Sequence, residues 1–232
     1  MTDFKRTQYK LRLAVGVLGM LLPIFLLSGH GMHFLSSMSH YYYTASSIFF
    51  VGVISSFSVA LYSYQGYPKT ATEKWSDNQV TTLAAVFAVI MVLVPTESSG
   101  SIGVLDFYEQ PYLFGYQHDQ IFNTVHLLCA AFFIGLLGYM SYAKFTLDPD
   151  LTTRKKRFYE TCGILVWVSI GMIALFKVLE LITPIKDFNK VVPYYIFWLE
   201  CTAIWAFGIA WLVKAKPAKL YGKTKDNIVD NL

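Results

Sequence analysis

The chain has 232 residues, 55% of them apolar and 17% aromatic, with a mean hydropathy of +0.44 and a formal charge of +4. Several long apolar runs place it in the polytopic membrane class and leave no stretch for a separate soluble domain. The excess of base does not indicate a nucleic-acid partner, because the lysines and arginines lie between and beyond the apolar runs, where membrane orientation accounts for them.

Apolar runs of spanning length occur at about 13–29, 46–64, 80–96, 120–143, 160–182 and 193–213. The predicted fold is therefore all-α: a single transmembrane domain over residues 1–232, built as a polytopic bundle of six transmembrane helices. The first run follows Lys5, Arg6, Lys10 and Arg12, but no small-residue cleavage site closes it, so it reads as a retained span. Sixteen of the nineteen basic residues fall in the N-terminus, the second loop, the fourth loop and the tail. The first and third loops carry none, which predicts that both termini are cytoplasmic in a plasma or inner membrane. The polar tail from about residue 217 is expected to be disordered.

Tyr41, Tyr42 and Tyr43 precede the second span, and Tyr62, Tyr64 and Tyr67 follow it. The pattern suggests an aromatic belt at the two rims, with Tyr42 and Tyr43 also candidates for ligand contact. The third loop, about 96–119, holds Glu97, Asp106, Glu109 and Asp119 with Gly100, Gly103 and Pro111, and is expected to fold over the outer mouth of the bundle. Cys129, Cys162 and Cys201 lie in or beside apolar segments without metal or redox spacing, and read as small buried hydrophobes.

The fifth run carries Lys177 and, three residues on, Glu180, close to one turn apart and hence on one helical face. Charge within a membrane costs on the order of 3 kcal/mol, so such groups face partners or a wet cavity. Glu200 lies about seven residues into the sixth span, too deep to snorkel easily, and is expected to be protonated or paired with Lys177. Asp119, Asn123 and His126 are spaced by four and three along one face of the fourth span. All of these, and His30, His33, His40 and His118, fall in the outer half. They predict a polar chamber open to the extracytoplasmic side, while the cytoplasmic half offers only apolar packing and basic loops.

Four stretches carry a resemblance: SSMSHYYYT after the first span, DNQVTTLAAVFAVIMVLVPTE, FNTVHLLCAAFFIGLLGYMSY and WLECTAIWAFGIAWL. From about Leu21 to Leu212 the chain resembles the six-span superfamily of the damage-regulated autophagy modulators (DRAM) and the membrane proteins that remodel GPI-anchor lipid. Where that superfamily has Pro-Ser-Ile-Ser or Pro-Ser-Ile-Ser-Asp, this chain has Ser37, Met38, Ser39 and His40, with no proline before them. The resemblance implies lipid handling on the non-cytoplasmic side and carries over His126, Glu200 and, more weakly, Ser39.

Membrane lipid is thus the expected partner. As a lipid hydrolase or acyl-transferase the protein would use His126 as general base, Glu200 or Asp119 to orient it, and Lys177 to stabilise oxyanion charge. No GxSxG pattern or obvious serine or cysteine nucleophile is present, so water is the expected attacking group. Asn123, Glu180, Ser39, Tyr42 and Tyr43 are the candidate ligand contacts. A metal version would draw on the outer histidines with Asp106 or Asp119, but their spacing is no ligand signature, and no metal or cofactor is assigned. The alternatives are a non-enzymatic lipid-binding or scaffold protein, a proton-coupled carrier, and a retinal protein with Lys177 as its Schiff-base lysine.

Overall fold

A computed structural model of the protein describes residues 3–67, 69, 73–98, 119–149, 151–185 and 187–215. Every regular element among them is helical. The α-helices are α1 (Asp3–Gly29), α2 (Ser47–Tyr62), α3 (Asp77–Leu93), α4 (Gln120–Tyr139), α5 (Thr153–Ile182) and α6 (Tyr195–Ala215). Four segments are long and apolar enough to cross a membrane: Arg6–Gly29, Gln120–Leu147, Thr153–Ile182 and Tyr195–Ala215. The helices α2 and α3, with 16 and 17 residues, are equally apolar but lie at or below the short end of the spanning range. Ile48, Val59, Ile121 and Leu181 are each about 70–80% exposed, as expected of helices whose outer faces meet hydrocarbon.

Local chemistry sets the helix boundaries. Ser76 and Gln79 form a capping box at the start of α3, Asp119 caps α4 through Ile121 N–H, and Thr152 caps α5 through Lys155 N–H. A 3₁₀ helix, Met38–Tyr43, fills the first loop and is capped by Ser37. After Tyr139 the fourth apolar segment widens into a π-turn over Met140–Lys144, which displaces the side chains that follow.

Two close crossings hold the bundle. Along α1 and α6 the contact runs over Gly16, Gly19 and Gly208, and Trp205 Nε1–H donates to the Met20 carbonyl at 3.1 Å. The second joins α4 to α5, where a Cβ added at Gly163 would fall 2.8 Å from the Gly138 carbonyl oxygen and 2.6 Å from Tyr142 Cβ. Overpacking this crossing with Gly163→Leu is expected to cost about 1–3 kcal/mol, read as a lower thermal midpoint of the detergent-extracted protein. Beyond Ser169 no residue of α5 is buried; this half meets α6, where the Phe176 and Tyr195 rings lie 5.0 Å apart, and leaves a cleft against α4.

Two sequence expectations change here, and others fall outside the described residues. Tyr41, Tyr42 and Tyr43 are fully buried and form no membrane belt. The 3₁₀ turn directs them into the core, where Tyr41 Oη donates to the His33 carbonyl at 2.9 Å and Tyr43 Oη to the Thr96 carbonyl at 2.5 Å. Tyr62 and Tyr67 are exposed, whereas Tyr64 is buried. Most of the third loop, with Asp106, Glu109 and His118, lies outside the described residues, as does the tail. Finally, the end of the bundle expected to offer only apolar packing and basic loops holds buried ion pairs: Lys144 with Glu73 and Asp77, and Lys214 with Asp148 at 3.0 Å.

Candidate functional site

At the opposite end, the 3₁₀ turn, α4, α5 and α6 enclose a cavity of about 690 Å³, within the range of small-molecule sites. Its polar wall carries Ser37, Ser39, His40, Asn123, His126, Lys177, Glu180 and Glu200. Its apolar limb runs between α4 and α5. The cavity gathers six of the nine candidate residues: His126, Glu200, Lys177, Glu180, Asn123 and Ser39. Asp119, Tyr42 and Tyr43 do not line it.

His126 is buried on α4. Its Nδ1 lies 2.7 Å from the Val94 carbonyl oxygen and 3.1 Å from that of Met91. Carbonyl oxygens only accept, so Nδ1 carries the proton and, in the neutral ring, Nε2 presents a lone pair. That lone pair faces Ser39 Oγ at 3.0 Å. Main-chain carbonyls at the end of α3 thus do the orienting expected of Glu200 or Asp119. Asp119 is used as the α4 cap, its Oδ1 accepting from Ile121 N–H at 2.7 Å.

The Glu200 carboxylate serves a different purpose. It accepts from Ser37 Oγ at 2.9 and 3.0 Å and from Met38 N–H, at 2.6 Å, at the start of the 3₁₀ turn. These bonds satisfy the donors at the start of the turn, and Ser37 Oγ in turn accepts from Ser39 N–H at 3.2 Å. Glu200 therefore positions the turn that carries Ser39, and it is not paired with Lys177. The Lys177 ammonium bonds Glu180 at 2.8 Å and is half exposed. Glu180 also accepts from Phe188 N–H at 2.8 Å, so this pair secures the loop between α5 and α6.

Asn123 lies one turn before His126. Its Oδ1 accepts from Thr96 Oγ at 3.0 Å and from Glu97 N–H at 3.1 Å. Because a main-chain N–H only donates, these bonds fix which way the amide points. Its Nδ2 has no hydrogen-bond partner among the described residues and is available to a ligand. Tyr43 acts one step behind, holding the Thr96 carbonyl. His40 bonds Ser36 Oγ at 2.8 Å, and burial first, then the neighbouring His126 and Lys177, push its imidazole down to about 4, so the ring is neutral at physiological pH.

The contact between Ser39 and His126 could not be read from the sequence, because the two residues are 87 positions apart and no motif joins them. Among the described residues no group of three or more His, Cys, Asp and Glu is gathered as a metal would require; His118 and Asp106 lie outside them. No family model matches the chain, and no curated protein or solved structure matches it either.

Proposed function

We propose that this is an integral membrane protein of six spans, both termini cytoplasmic, that takes an ester-bearing amphiphile from the outer leaflet and transfers or hydrolyses its acyl group. The observation that carries the reading is the Ser39 Oγ to His126 Nε2 contact of 3.0 Å, with Nδ1 held on main-chain carbonyls, inside a cavity polar at one end and apolar at the other. A hydroxyl in hydrogen-bond reach of an oriented imidazole is the arrangement an activated serine nucleophile needs. The resemblance to the DRAM and GPI-anchor lipid-remodelling superfamily points the same way, since Ser39, His126 and Glu200 are the positions it carries over.

In this reading Ser39 Oγ attacks the ester carbonyl while its proton passes to His126 Nε2. The resulting imidazolium keeps its Nδ1–H on the Val94 and Met91 carbonyls. Asn123 Nδ2 supplies a neutral donor for the oxyanion, and the Lys177 ammonium adds charge from the cavity wall. Collapse expels the alcohol, which takes the proton from Nε2 and leaves an acyl group on Ser39. Water or an acceptor hydroxyl, deprotonated by the same imidazole, then releases that group.

An alkyl fluorophosphonate, which phosphonylates activated serines, tests this directly. Intact mass should rise by one adduct, mapped to Ser39 and absent from Ser39→Ala. Folded protein that takes up no reagent, but co-purifies with lipid, would instead mark the cavity as a binding site without chemistry.

A further inference from the structure

The apolar limb of the cavity lies between two helix faces. On α4, Leu127, Ala131 and Ile134 face it, and on α5, Ile170, Ile173 and Ala174 do, each set at helical spacing along one face. The two helices run antiparallel, so the limb descends from His126 towards the glycine crossing. Its last lining residues are Ile134 and Ile170. Trp167, one turn before Ile170, donates its indole N–H to the carbonyl of Gly135, the residue after Ile134, at 3.0 Å, bridging α5 to α4. The indole can lie there because Gly138 has no side chain: a Cβ at that position would stand 2.8 Å from Trp167 Nε1. Tyr142 packs on the same ring, the centroids 5.2 Å apart.

We propose that this limb is an acyl-chain channel and that Trp167 sets the chain length it accepts; this rests on the reading of the cavity as an amphiphile site. The polar end and the apolar limb are continuous, so a carbonyl held at Ser39 directs its alkyl tail down between α4 and α5. Nine residues separate His126 from Gly135, about 13 Å of helix, which matches an extended chain of roughly ten carbons. Ala131 and Ala174 keep the limb wide enough for a methylene chain. A longer chain must fold back or leave sideways into the bilayer, losing the contacts that the channel provides.

The test uses full-length protein in detergent carrying Ser39→Ala, which cannot form an acyl-serine, so that binding is read apart from turnover. Displacement of a fluorescent acyl probe is measured with saturated fatty acids of six to eighteen carbons. Preference should peak near ten carbons, at least about tenfold over sixteen. Adding Trp167→Ala should move the peak to longer chains, and adding Ala174→Phe, at an exposed position where folding is not at stake, should move it to shorter ones. The same profile in all three proteins would overturn the channel. Shifted profiles in a protein whose wild type shows no serine reactivity would uphold the channel while removing the enzyme reading. Failure to bind any acyl probe would remove both.

Discussion

Under the proposed acyl-transfer reaction, Ser39→Ala and His126→Ala should each lower turnover of an ester lipid by roughly 10⁴-fold or more, and the double substitution should be no worse than either alone. The non-additivity is the informative part. Ser39 Oγ and His126 Nε2 share one hydrogen bond, so removing either breaks the same proposed nucleophile–base pair. Asn123→Ala should be milder, about 10²- to 10³-fold, because it removes one donor to the oxyanion and leaves the nucleophile intact. Glu200→Gln tests positioning. The amide still accepts from Ser37 and Met38, so most activity should survive, whereas Glu200→Ala frees the 3₁₀ turn and should reduce turnover without changing its pH profile. Rates are measured on mixed micelles of neutral ester lipids, with circular dichroism to confirm that each variant is folded. If His126→Ala leaves turnover intact, the imidazole is a packing contact between α3 and α4.

How much of this was legible in the sequence depends on range. The helices were readable because hydropathy and helical period are local, and α4 to α6 begin within a few residues of their predicted starts apart from α5, which extends back to Thr153 into the polar loop. That extension has a local cause: Thr152 caps the helix, and a polar first turn costs nothing outside hydrocarbon. A rise of 1.5 Å per residue puts His126, Lys177 and Glu200 at a similar level along their helices, and all three line the cavity. Pairing did not follow from depth. Which carboxylate meets which donor depends on rotation about each helix axis, and here Glu200 turns to the 3₁₀ turn while Lys177 reaches Glu180 in its own helix. The tyrosines were misjudged for a related reason. Three in a row cannot all face a membrane interface, and the compact turn that buries them is fixed by Ser37 and a carboxylate 163 residues away.

At the other end of the bundle the same loss of range hid a structural feature, and it yields the largest expected effect on stability. Lys144 was counted among the basic loop residues that orient the chain, yet its side chain is 1% exposed. The π-turn carries it inward, where it bonds the Glu73 carboxylate and the Trp75 carbonyl and lies 3.5 Å from Asp77 Oδ1. Asp77 also accepts from Tyr67 N–H at 3.2 Å, so one cation gathers the α2–α3 loop onto the end of α4. Deleting a buried partner strands the other charge, which typically costs about 3–5 kcal/mol, more than the pair itself contributes. Lys144→Ala should therefore lower the thermal midpoint of the detergent-extracted protein by on the order of 10 °C. Lys144→Met combined with Glu73→Gln and Asp77→Asn should recover much of that loss, since no uncompensated charge remains. At temperatures where the single variant is still folded, its Ser39 should react with fluorophosphonate at the wild-type rate, because the network and the cavity lie at opposite ends of the helices. A drop in that rate with no drop in midpoint would mean that Lys144 acts on the cavity and not on the fold.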